Sequence, residues 1–321
     1  MESSRAWVER ALGSRVRAFE PLEAGAGARR YWRVHTRDPG NGAVLMHAVP
    51  EDPEILPPGL RASAGEIPFV VVTEFLTRHA LPVPRILAVD RERRLVLEED
   101  LGDTRLVDLA AAEQTRLRPA VIDLLVRAHA IPERELPFPR VFDEEWIRFE
   151  LGIFAEHAAP EPLRKRLVPA LADLARAIAG LPKQPALRDV QSQNLMLDPQ
   201  GKLRLLDYQD LLLAPPELDL AAFLYDSYVR IPPAERTALL ERYAAGRGRP
   251  LDPEALRLLV VQRKCKDYAI FRRMLRVKKD LRFRAPERAA REAVCSVLAE
   301  LPAELAHVAV VLREVFETEH A

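Results

Sequence analysis

Asp189, Asn194 and Asp207 present oxygen atoms in an order and spacing suited to phosphoryl transfer. The first two bound the string Asp189-Val190-Gln191-Ser192-Gln193-Asn194, and the third follows in Leu205-Leu206-Asp207-Tyr208-Gln209-Asp210. In that chemistry an Asp orients an acceptor hydroxyl and takes its proton, while an Asn and a second Asp hold Mg²⁺ against the phosphates of a nucleotide. Mg²⁺ suits such a set because it takes few protein oxygens and draws the rest from water and phosphate. Asp189 is therefore the candidate catalytic residue, with Asn194 and Asp207 the candidate metal ligands. The competing explanation is that Asp and Asn decorate turns.

The elements around the trio favour catalysis. Two short apolar runs, 195–197 and 203–206, flank Asp198-Pro199-Gln200-Gly201, a composition that predicts a tight β-hairpin. Asn194 would lie just before its first strand and Asp207 just after its second, so that the hairpin brings both ligands to one spot.

Upstream, runs at 19–22, 31–36 and 43–48 read as antiparallel strands, with Gly25 and Gly27 in the first connection and 38–42 in the second. A helix is expected over 64–78, where Phe69, Val72 and Leu76 recur at helical spacing, followed by a strand pair at 86–89 and 95–97. From 108 onward the pattern is mostly helical, with helices expected over 117–130, 144–158, 163–179, 218–228, 233–245, 253–276, 287–301 and 303–317. This order predicts an α+β, two-lobed chain. Residues 1–100 would form a small antiparallel β-rich nucleotide-binding lobe, and 101–321 a large α-helical lobe with the catalytic loop and acceptor site. Between them, Glu98, Glu99, Asp100 and Leu101 form a candidate adenine-binding hinge, with Gly102 permitting the turn that follows.

Composition narrows the function classes. The 321 residues include 48 basic and 48 acidic side chains. That balance argues against nucleic acid as a partner. No apolar run is long enough to span a bilayer and the first residues lack a secretory signal, so the expected compartment is the cytoplasm. Cys265 and Cys295 form no C-x-x-C pair and are expected to be buried thiols. The 27 prolines concentrate in stretches such as 49–58 and 131–139, which read as loops.

The trio and its neighbours resemble the aminoglycoside phosphotransferase and choline kinase superfamily, whose fold is protein-kinase-like. Its H-x-D-x-x-x-x-N loop, I-D-[FY]-x-[DE] strand end and D-[LIV]-A helix start are echoed in Leu187 to Asn194, Leu206 to Asp210 and Asp219-Leu220-Ala221. The similarity is strongest to kinases that phosphorylate N-acetylmuramate and N-acetylglucosamine at the 1-hydroxyl. It extends through Arg29-Arg30-Tyr31-Trp32-Arg33, Val83-Pro84-Arg85-Ile86, Leu97 to Asp103, and the helix holding Gln262-Arg263-Lys264 and Ile270-Phe271-Arg272-Arg273. The resemblance implies an ATP- and Mg²⁺-dependent sugar kinase of cell-wall, or peptidoglycan, recycling.

Three departures stand out: Leu187 replaces the loop-bracing His, Val190 replaces an aromatic, and 46–50 holds no lysine where most kinases grip phosphate. Arg29 and Arg30, beside the Gly25 and Gly27 turn, are the nominated substitutes, since a guanidinium binds two phosphate oxygens at once. Gln191, Gln193, Gln209 and Asp210 are candidate ligands for the hydroxyls of a small-molecule acceptor. Asp219 fits a helix start or a brace on the catalytic loop. His129 reads as a packed or surface histidine. The basic run from Arg263 to Lys279 reads as a solvated helix face, with Arg263 or Lys264 alternatively meeting an acidic substrate. The rival readings are a phosphotransferase for an aminoglycoside or choline-like acceptor and a nucleotide-binding pseudokinase.

Overall fold

A computed structural model describes residues 2–22, 28–38, 42–49, 56–57, 60 and 66–317. Gly25, Gly27, most of the 38–42 connection and of the 49–58 stretch, and the first residues of the helix expected over 64–78 lie outside the described residues. The chain divides into two compact units. One comprises Met1–Leu56, Leu60–Thr104 and Met196–Asp210; the other comprises Pro57–Gly59, Arg105–Leu195 and Leu211–Ala321.

The first unit is built on a five-stranded antiparallel sheet of β1 (Val16–Leu22), β2 (Arg30–Thr36), β3 (Ala43–His47), β4 (Ile86–Asp90) and β5 (Leu95–Glu99), in the order β1-β2-β3-β5-β4. Alternation along the strands sends Val34, Ala43, Leu45, Leu95 and Leu97 to one face. There they pack with Val8 and Trp7 of α1 (Glu2–Leu12), a helix absent from the sequence expectation. Each such buried Val or Leu side chain is worth about 1.5–3 kcal/mol. The register pairs Leu45 with Leu97 and Val44 with Glu98, so Glu98 points to the opposite face; α2 (Pro68–Arg78) completes the described α-helices of this unit.

The expected hairpin forms from β7 (Leu195–Leu197) and β8 (Leu203–Leu205). Asp198 organises its turn, accepting from the backbone N–H groups of Gln200 (3.0 Å) and Lys202 (2.9 Å) and from Arg204 Nε (2.9 Å). Gly201 takes the left-handed conformation that closes the turn (φ 74°). The hairpin docks on its own unit by Leu197 N–H to Thr104 O and Leu205 N–H to Pro82 O, each 2.8 Å.

The second unit is helical: α3 (Ala111–His129), α4 (Glu144–Ala158), α5 (Glu161–Ala179), α6 (Glu217–Leu224), α7 (Pro233–Arg247), α8 (Pro253–Arg276), α9 (Arg284–Val297) and α10 (Ala306–Glu317). A two-stranded sheet of β6 (Gln184–Ala186) and β9 (Leu212–Ala214) interrupts them. α8 has a strong start, with Asp252 accepting from Glu254 N–H (2.9 Å) and Pro253 at the first helical position. It packs against α4, α6 and α9. That multi-sided packing corrects the solvated-face reading: Arg263, Lys264, Lys266 and Arg272 are buried, whereas Arg273, Arg276, Lys278 and Lys279 are exposed. One cysteine expectation also changes, for Cys265 is buried in α8 but Cys295 is exposed on α9.

Candidate active site

In the second unit the loop of residues 187–194, the candidate catalytic loop, is held by buried carboxylates. β6 ends at Ala186, and the next two backbone N–H groups, of Leu187 and Arg188, donate to Asp219 Oδ2 (2.7 Å) and Oδ1 (2.6 Å). Asp219 is fully buried in the first turn of α6 and is also 2.9 Å from His129 Nε2. A carboxylate only accepts, so Nε2 donates to Asp219, and Nδ1 lies 2.7 Å from the Tyr243 hydroxyl. The bracing imidazole is thus supplied by α3, while Leu187 itself is an apolar core side chain. Asp219 as a brace accords with its sequence context; the role of His129 had no sequence signal beyond its type.

Arg188 adopts a left-handed backbone (φ 74°), a conformation a non-glycine residue keeps only when its surroundings impose it. Here those surroundings are Asp219 on its N–H and Glu150 of α4, whose Oε1 accepts from Arg188 (2.8 Å) and lies 3.2 Å from Lys266. Burial alone would raise the Glu150 carboxyl, but Lys266 and Arg188 pull it down to about 2.

Asp189 follows the strained residue. Its Oδ1 is 2.7 Å from Arg263 of α8, while Oδ2 is 3.9 Å from Arg188. Arg263 also donates to Arg188 O (3.0 Å) and lies 3.1 Å from Asp267. Burial opposes ionisation of Asp189, yet Arg263, Arg188 and Lys266 together hold its carboxyl well below the usual carboxylate range. Lys266 moves the other way: burial, then Arg188, lowers its ammonium below the ordinary lysine range.

Asn194 ends the 3₁₀ turn Ser192–Asn194, and its Nδ2 donates to Asp189 O (2.8 Å). That bond uses one of the two Nδ2 hydrogens, and Oδ1 accepts no hydrogen bond among the described residues. The same turn is anchored by Asp226, which accepts from Ser192 N–H at 2.6 Å. Gln191 caps the turn by accepting from Asn194 N–H (2.8 Å), and Gln191 and Gln193 are both half-buried. Glu150, Asp226 and Asp267 had no place in the sequence reading; lone acids on helices carry no spacing signal that distinguishes them from surface charge.

In the first unit a separate cluster forms at the end of the hairpin. Asp207 has a left-handed backbone (φ 56°), and its Oδ1 accepts from Arg29 (2.6 Å) and Gln209 Nε2 (3.1 Å). Arg29 also donates to Gln209 Oε1 (2.7 Å). Burial would lower the Arg29 guanidinium, but Asp207, Tyr31 and Asp210 raise it above its ordinary value. Arg30 is exposed at the start of β2. Asp210 is half-buried two residues beyond Tyr208, whose ring stacks on Phe69 (5.4 Å) and whose hydroxyl meets Thr73 Oγ1 at 2.8 Å.

The hinge candidates share no single environment. Glu98 is buried on β5; its Oε2 has no hydrogen-bond partner among the described residues, and burial pushes the carboxyl up to about 8 against the pull of Arg29. Glu99 accepts from Arg85 N–H (2.9 Å) and lies 3.3 Å from Arg204. Asp100 binds Arg33 Nε at 2.7 Å, Leu101 is buried, and Gly102 is left-handed (φ 78°). Strand β3 reads Ala43-Val44-Leu45-Met46-His47 and carries no lysine.

Asn194 and Asp207, each in its own unit, offer oxygens that could serve a metal ion. Neither Asn194 Oδ1 nor Asp207 Oδ2 accepts a hydrogen bond among the described residues. Both are hard oxygens of the kind Mg²⁺ prefers.

The sequence pattern of the phosphotransferase enzyme family matches residues 18–259. A protein of Pseudomonas aeruginosa named N-acetylmuramate/N-acetylglucosamine kinase is 30% identical over 79% of this chain and 76% of its own length. A Caulobacter vibrioides protein of the same name is 28% identical over 58% of this chain, a match spanning just 57% of that relative. Among solved structures, choline kinase LicA from Streptococcus pneumoniae has a TM-score of 0.67 at 16% identity, covering 92% of this chain and 98% of that one. The fold is that of the kinase-like phosphotransferases, and the chain belongs to the phosphotransferase enzyme family.

Proposed function

We propose that this phosphotransferase is an ATP- and Mg²⁺-dependent kinase that phosphorylates the anomeric hydroxyl of N-acetylmuramate or N-acetylglucosamine. The observation that carries the reading is the setting of Asp189: half-buried, held by Arg263 through one oxygen, with Arg188 near the other. With Oδ1 engaged, Oδ2 is the oxygen that meets the acceptor hydroxyl. A carboxylate held well below its usual range is a weak base, so Asp189 orients the hydroxyl first and takes its proton late, as the oxygen–phosphorus bond forms and the γ-phosphate leaves ADP. Bound Mg²⁺ would neutralise charge on the phosphates, with Asn194 and Asp207 as its protein ligands.

Arg29 answers the missing β3 lysine. Its guanidinium bridges Asp207 and Gln209, and in the reaction it would turn a donor toward phosphate oxygens. The acceptor reading rests on the names of the relatives and on local charge. Around Asp189 the cations of Arg188, Arg263 and Lys266 offset the acids, an environment that suits neutral or acidic acceptors better than cationic aminoglycosides or choline.

Mg²⁺-dependent ATP consumption with N-acetylmuramate, N-acetylglucosamine, choline and an aminoglycoside tests the proposal. Turnover with the amino sugars is expected, with Asp189→Asn retaining its fold and losing about 10²–10⁴-fold in kcat. Turnover confined to choline or the aminoglycoside would reassign the acceptor, and near-full activity in Asp189→Asn would discard the mechanism.

A further inference from the structure

A cavity of about 290 Å³ lies between α8 and α9, away from the residues that hold the catalytic loop. Arg272 and Arg276 line it from α8, and Arg284, Arg288 and Arg291 from α9; the acid in its lining is Glu287. On α8, Arg263 and Lys266 point to Asp189 and Glu150, whereas Arg272 lies about 180° round the helix from Arg263 at 3.6 residues per turn. The cavity is therefore a site of its own within the helical unit.

Five guanidiniums line one small space with one glutamate, 3.8 Å from Arg272, so the lining carries more positive than negative charge. Arg276 spends one donor on His157 O at 3.3 Å, and Arg272 donates to Tyr268 OH. Arg284 and Arg288 are exposed and make no hydrogen bond or ion pair among the described residues. Each guanidinium presents donors in a planar fork that matches the oxygens of a carboxylate or phosphate.

We propose that this cavity binds a small, multiply charged phosphate-bearing anion. A carboxylate offers two oxygens and about four acceptor sites, too few for arginines arriving from two helices. A phosphate ester or diphosphate offers more oxygens, spread in three dimensions, and more charge. The volume suits such a molecule and excludes a long polyanion from lying wholly inside.

Calorimetric titration of the full chain with inorganic pyrophosphate, without Mg²⁺, tests the site. About one equivalent should bind saturably in the wild type. Arg284→Ala/Arg288→Ala, two exposed positions, should weaken that binding roughly tenfold or more while leaving the circular dichroism spectrum unchanged, and Arg29→Ala should leave it intact. Binding that survives the double substitution, or is lost in Arg29→Ala instead, would put the anion elsewhere and overturn the proposal. So would an absence of binding, or citrate binding where pyrophosphate does not.

Discussion

Glu98 and Arg29 show how two side chains on one face of a small sheet are balanced against each other. Burial favours the neutral Glu98 carboxyl, raised to about 8, and its Oε2 has no partner among the described residues. In the unfolded chain the same group ionises near 4.5, so between those values the folded state binds the extra proton and stability falls as pH rises. Glu98→Gln removes that dependence. The variant should match the wild type at about pH 4.5 and exceed it increasingly toward pH 8, by an amount on the order of a few kcal/mol, as urea titrations at several pH values would report. Parallel curves for the two proteins would mean that Glu98 is ionised when folded. Under the proposed function, Arg29 meets the phosphates of the nucleotide. Arg29→Ala should raise the apparent KM for ATP by roughly tenfold, whereas exposed Arg30→Ala should change it little. Equal effects would show that position on β2, rather than contact with Asp207, decides.

At the scale of elements, the loop that carries Asp189 depends on the start of α6. Asp219→Ala would strand the N–H groups of Leu187 and Arg188 together with His129, a loss of about 3–5 kcal/mol on unfolding, accompanied by loss of turnover. His129→Ala leaves both backbone bonds in place and should cost less, about 1–3 kcal/mol, which denaturant titration of the two variants would rank. The same helix shows where sequence legibility ends. The apolar run predicts a helix over 218–228, but it stops at Leu224, because Asp226 must leave the helix to accept from Ser192 and Tyr228 N–H groups. α4 and α8 were legible to the residue, since Asp143 and Asp252 cap them and their apolar spacing is regular. The hairpin was legible from Asp198 and Gly201. By contrast, β6 and β9 are three residues each, one containing Pro185, and α1 is mostly polar, so neither periodicity nor length could announce them. Asp189, Asn194 and Asp207 could be chosen from their spacing. The partners that set the state of Asp189, above all Arg263, come from a helix far along the chain and become visible only when α8 packs.

For the whole molecule, equal numbers of acidic and basic residues leave almost no net charge to repel or attract, so the response of stability to salt reports local clusters. Exposed ion pairs such as Arg242–Asp123 and Arg166–Glu314 contribute little, and salt weakens them. The buried pairs of Asp189 and Glu150 are screened far less. The arginines between α8 and α9 act with the opposite sign, because screening relieves their repulsion. Removing two of them isolates that contribution. Arg284→Ala/Arg288→Ala should therefore melt above the wild type at about 0.02 M salt, and the difference should shrink toward zero by about 0.5 M, where the Debye length is shorter than the spacing of the side chains. Pyrophosphate should close the same gap at low salt by raising the wild type alone, since a ligand that binds only the folded state stabilises it. A double variant that melts below the wild type at every salt concentration would mean that the arginine stems contribute more by packing on α9 than their charges cost.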